Sequence, residues 1–252
     1  MVKMQIKVLT RVSWIEGWNW VVQSFILFRA KALEWLLFSF ILMGISLIVA
    51  QLGIFGSLLL PLLFPVFTGG FMEGARQAVH NQPLTPKVLF SGFDRRGAKL
   101  VTLGGLYLVC IISLSGYLQM SGLLPTGIYP VAIKPGTAQY QFLISHSNGI
   151  IVAALVELAV LLPVSMATLF APALIMFHEV DVFSALKVSF LACFRNPAAL
   201  VVYGFFVTLG GVLIILSAGF AIFIVLPLMF LSTYVGYVRL FKMGVEPTRG
   251  IG

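Results

Sequence analysis

The sequence predicts an all-α integral membrane protein. Six transmembrane helices form three two-helix repeats of parallel topology, each led by an interfacial amphipathic helix, with a structured outer-side insertion in the second repeat. Three observations carry this expectation. Hydrophobic residues make up 60% of the 252 residues and charged residues only 10%, far too little polar surface for a soluble domain. Six apolar stretches, about 33–52, 54–72, 98–117, 149–177, 197–218 and 220–238, reach or approach the ~20 residues that cross a ~30 Å hydrocarbon core. The third observation is self-similarity. Phe28-Arg29 returns as Phe194-Arg195 after 166 residues, and the same shift places Gly53 on Gly219, Pro61 on Pro227 and Gly70 on Gly236. A shift of 100 aligns Lys87-Val88 with Lys187-Val188 and Arg95 with Arg195.

These shifts divide a single membrane domain, 1–252, into repeat 1 (14–76), repeat 2 (84–178), repeat 3 (181–242) and a C-terminal tail (243–252). In repeat 1, Trp14, Trp18, Val21, Val22, Phe25 and Phe28 recur at three- and four-residue spacing. That predicts a helix lying along the membrane surface with its Trp side chains, Trp20 among them, at headgroup level. Repeat 3 has Phe183, Leu186, Phe190, Leu191 and Phe194 in the same role, and repeat 2 a shorter version over 88–93 behind Pro86. Arg29, Arg95 and Arg195 close the three lead-in helices, where each suits the negative helix end and the lipid phosphates. The interfacial contacts to lipid or a partner are therefore Trp14, Trp18, Trp20, Arg29, Arg95 and Arg195. Gly53 and Gly219 mark tight turns between paired spans, and Gly70 with Gly74 gives the small-xxx-small spacing of close helix packing.

Charge sets the orientation. With six spans both termini share a side, and fifteen of the sixteen Lys and Arg residues fall there, Lys134 being the exception. Cytoplasmic termini follow. The net charge of +8 then serves topology and anionic headgroups, and no basic block points to nucleic acid. The first 30 residues lack the compact apolar core and cleavage site of a signal peptide. Cys110 and Cys193 lie on different segments and read as buried apolar residues rather than a disulfide.

Repeat 2 departs from the pattern. Its Arg and shared Pro are 68 residues apart (95 to 163), against 32 in the others (29 to 61, 195 to 227), an excess of 36. The excess falls at 117–148, where alternation around Tyr129 and Tyr140, on either side of Lys134, predicts a short hairpin or structured cap. Tyr129, Lys134, Tyr140 and His146 are its candidate functional residues. The same repeat carries Glu157, the intramembrane polar candidate. A charge there costs ~3 kcal/mol, so Glu157 is expected to face the bundle interior or be protonated. It reads either as a proton- or cation-coupling group near Lys134 or His146, or as a packing residue. Glu73 and Arg76, three apart, are expected to pair. No nucleophile elbow, phosphate loop or metal-ligand spacing is present in the sequence, so no catalytic residue, metal or cofactor is expected.

The segments Gly70-Phe71-Met72-Glu73-Gly74-Ala75-Arg76, Phe170-Ala171-Pro172-Ala173-Leu174 and Ser189-Phe190-Leu191-Ala192-Cys193-Phe194-Arg195-Asn196 carry a resemblance. With Gly17-Trp18-Asn19-Trp20 and Tyr234-Val235-Gly236-Tyr237, they resemble a family of uncharacterised proteobacterial six-span inner-membrane proteins. The resemblance covers nearly the whole chain and implies a bacterial inner membrane. It brings no activity or catalytic residue. The expected role is a non-enzymatic accessory or scaffold subunit, with anionic lipid and a membrane protein as partners and no soluble small-molecule substrate. A small carrier coupled through Glu157 and a lipid-organising protein are the alternatives.

Overall fold

A computed structural model describes residues 11–94, 96–123, 147–178 and 180–241. Every regular element among them is helical. In chain order these are α1 (Ile15–Ala30), α2 (Ala32–Ala50), α3 (Ile54–Val79), α4 (Pro86–Leu89) with a 3-10 turn at Ser91–Phe93, α5 (Gly97–Met120), α6 (Ser147–Leu169), α7 (Ala171–His178), α8 (Val182–Arg195), α9 (Pro197–Leu216) and α10 (Ile222–Leu240). Six stretches are long and apolar enough to cross a membrane: α2, α3, α5, the 31 residues Asn148–His178 spanning α6 and α7, α9 and α10. The predicted hairpin at 117–148 falls largely outside the described residues, as does the tail 243–252.

Local sequence fixes the helix ends. Pro86 and Pro197 open α4 and α9 at first-turn positions, where a missing N–H leaves no bond unmade. Asp181 caps α8, accepting the Ser184 N–H at 2.9 Å, a bond that also holds its carboxyl below the usual aspartate range. The turns after α2 and α9 contain Gly53 at φ 59° and Gly219 at φ 95°. A side chain is disfavoured in that left-handed region, which is why glycine stands at both places. Pro61 and Pro65 in α3, Pro163 in α6 and Pro227 in α10 lie within helices, as membrane helices tolerate.

The chain forms two compact units, Met1–Gly104 with Met166–Gly252, and Gly105–Ser165. In the first, α3 and α10 are the central pair. Their spans are 44% and 50% buried over the most apolar window, and both pack against α2. Phe71 of α3 stacks on Phe230 of α10 with centroids 4.4 Å apart, and Trp35 and Phe38 of α2 close over Phe71 at 6.2 and 5.7 Å. Phe64 and Phe230, which the 166-residue shift matches, lie 5.8 Å apart. The Gly70/Gly74 pair serves contacts inside the chain. A Cβ on Gly70 would overlap the Leu89 carbonyl, and one on Gly74 would press the Trp35 ring. In the second unit, Leu114 and Leu118 of α5 pack on Ala153 of α6, with Leu123, Val156, Val160 and Leu161 around them.

Candidate functional site

Glu157 lies in α6, nine residues past Asn148 and so roughly 14 Å along the helix. Ala153, Val156, Val160 and Leu161 turn toward α5, and Glu157 follows Val156 beside that seam. It is nevertheless exposed, as are Ala154, Leu155 and Leu158. No described residue bonds to its carboxylate. Of the expectation that Glu157 faces the bundle interior or is protonated, the interior-facing half is therefore corrected. The reason is that α6 is apolar all round, so no stripe in its sequence marks an inward face. Over its most apolar window the Asn148–His178 span is 6% buried, far below α3 and α10. Lys134 and His146, expected near Glu157, and the other insertion candidates Tyr129 and Tyr140 lie outside the described residues.

The lead-in helices present their aromatic stripes outward. Trp14 and Trp18 of α1 are 60% and 45% exposed, and Phe183 and Phe194 of α8 are exposed as well. Small side chains line much of the inward faces, Gly17 and Ser24 in α1 and Ala185, Ser189, Ala192 and Cys193 in α8, but Phe28 of the expected stripe is buried as well. Trp20, expected at headgroup level, is a further correction. It is 0% exposed, set edge-on to Phe170 and Tyr203 at 6.2 and 5.8 Å and against Gly236. It is a core residue holding α1 against α9 and α10. Aromatic residues stand on both sides of α1, and spacing alone does not separate them. Arg29 is exposed with its guanidinium 6.0 Å over the Phe25 ring. Arg195 is exposed at the end of α8, and Arg95 lies outside the described residues.

Three polar clusters escaped the sequence reading. Between α6 and α7, the Phe170 N–H donates to Ser189 Oγ at 3.1 Å, and Ser189 Oγ donates to the Met166 carbonyl at 2.8 Å. Cys193 Sγ reaches the same carbonyl at 3.3 Å. Burial pushes the Cys193 thiol up to about 12. The Tyr203 hydroxyl lies 3.1 Å from Thr233 Oγ1 and accepts from Ser232 Oγ at 3.2 Å, tying α9 to α10. The Tyr237 hydroxyl and His178 Nε2 are 2.8 Å apart. No spacing rule links residues separated by 19 to 59 positions, so only the fold brings them together. Glu73 and Arg76 do form the expected pair, with two bonds at 2.9 and 2.6 Å. Among the described residues no group of three or more His, Cys, Asp or Glu side chains could hold a metal ion.

A curated relative from Burkholderia thailandensis, named as a probable inner membrane protein, is 32% identical over 201 residues, covering 78% of this chain and 73% of the relative. The chain belongs to that inner-membrane protein family. Its six apolar helices and this kinship make it a multi-pass inner-membrane protein. No family model matches the chain, and no solved structure does. The family thus fixes the compartment and leaves the role to be argued from the side chains.

Proposed function

We propose that the chain is a non-enzymatic accessory or scaffold subunit of a larger inner-membrane assembly, with both termini on the cytoplasmic side. One observation carries the reading: α6 is apolar, hardly buried, and bears an exposed carboxylate partway along a spanning stretch. A charged group facing lipid at such depth costs ~3 kcal/mol. Contact with another protein removes that cost; a lone subunit bears it. The charge bias of the Lys and Arg residues supports the orientation.

The test is photo-crosslinking from Leu155 and Leu158, followed by extraction in native lipid and mass spectrometry. The expected product is one recurrent membrane protein linked at both positions. A lone, monodisperse chain under every extraction condition overturns the reading. A carrier coupled through Glu157 would need that residue on a path between helices, and its exposed position favours contact between chains. Lipid organisation is compatible with the subunit role, because exposed Trp14, Trp18, Arg29 and Arg195 form the kind of anchor that anionic headgroups bind.

A further inference from the structure

We propose that the Glu157 face of α6 docks a spanning helix of another protein that carries a basic side chain, Lys or Arg, at the same depth. The inference rests on the accessory-subunit reading and names the chemistry of the partner.

Three features of this face lead to it. The first is the charge. A carboxylate within an apolar span is stabilised by an opposite charge or a strong donor within hydrogen-bond reach, and α6 has neither among the described residues. The second is shape. Ala154 sits one helical turn before Glu157 and is exposed with it. A methyl group there lets a neighbouring helix approach closely enough for a side chain to meet the carboxylate. Leu158, one residue on, is 60% exposed and supplies apolar contact beside the polar one.

The third feature concerns who can supply the complement. This chain has sixteen Lys and Arg residues, and none lies between Lys134 and Lys187. The described ones fall outside the spanning helices or within about two turns of their ends, at Arg76 near the end of α3, Lys99 near the start of α5 and Arg239 at the end of α10. Among the described residues, a second copy therefore offers Glu157 no cation within the depth of a span. Two ionised carboxylates facing each other would repel unless the pair took up a proton, whereas a Lys or Arg meets the ionised form directly. Charge complementarity selects a different chain.

The experiment uses the full-length protein in vesicles of phosphatidylethanolamine and phosphatidylglycerol. The probe is a labelled Leu-rich spanning peptide with a single Lys placed at the depth of Glu157, compared with the same peptide lacking the Lys. Energy transfer reads association. The expected result is about tenfold tighter association with the Lys peptide. That preference disappears in Glu157→Leu and falls in Ala154→Trp, which keeps the carboxylate but blocks close approach. Equal binding of the two peptides, or a Lys preference that survives Glu157→Leu, overturns the proposal. So does chain-to-chain energy transfer that depends on Glu157, because the face would then belong to a second copy. If the crosslinked membrane partner of the wild-type chain is retained unchanged by Glu157→Leu, the basic-helix proposal fails while the subunit reading stands. If no partner is ever found but the Lys preference holds, the subunit reading fails alone.

Discussion

Ser189 stands in for a backbone bond that the chain itself does not make. In an unbroken helix the Phe170 N–H would reach the Met166 carbonyl four residues back. Here the Ser189 hydroxyl lies between them, accepting from the first and donating to the second. Such insertion into the helical ladder is a recognised cause of a break. Ser189→Ala leaves the buried Phe170 N–H without its acceptor and the Met166 carbonyl with only the Cys193 thiol, and should cost about 1–3 kcal/mol, read as an earlier midpoint in SDS or thermal denaturation. Cys193, on the same carbonyl, gives a second residue-scale prediction. The thiolate is the form that alkylates, and burial raises this thiol from 9.0 to about 12. In a Cys110→Ala background, Cys193 should react on the order of a thousandfold more slowly in the folded protein than after unfolding. The sign of the linkage follows. The folded state holds the proton more tightly, so this contribution to stability is complete below pH 9.0 and is lost as pH rises toward 12.

At the scale of elements, the sequence shows where helices are better than which way they face. The six expected stretches match six apolar helices because length and hydropathy answer that question directly. The 149–177 stretch, too long for a simple crossing, divides at Phe170 into α6 and α7. Facing is a different matter. Helix α8 alternates small residues with Phe183, Phe190 and Phe194, and its outward stripe could be read. Helix α1 has Trp14 and Trp18 outside but Trp20 inside, and α6 has no polar side from which to start. Facing in both depends on residues far away in the chain, Tyr203 and Gly236 for α1 and Leu114 and Leu118 for α6. The turns make a sharper element-scale prediction. Gly53→Ala and Gly219→Ala place a side chain at positive φ and should each destabilise by about 1–2 kcal/mol, measured by the same denaturation. An alanine at Gly44, where no neighbouring atom lies within 4 Å of the added carbon, should be neutral or mildly stabilising.

For the whole molecule, the charge bias predicts that reporters fused to either terminus report the cytoplasmic side, and that a reporter at Lys134 reports the outside. Opposite labelling of the two termini would overturn the six-span topology. Glu157 shows how far a sequence reading reaches at this scale. Its cost in hydrocarbon follows from its place in an apolar stretch, but its outward facing is seen only when α6 is packed on α5. The short links have a consequence for how the chain is made. Only Gln51, Leu52 and Gly53 separate α2 from α3, and 217–221 separate α9 from α10. A turn that small carries very little polar backbone through the lipid, and each hairpin satisfies its own amide groups within its two helices. The two hairpins can therefore enter the bilayer as preassembled pairs, one at each end of the chain, without any hydrophilic domain being exported between their arms.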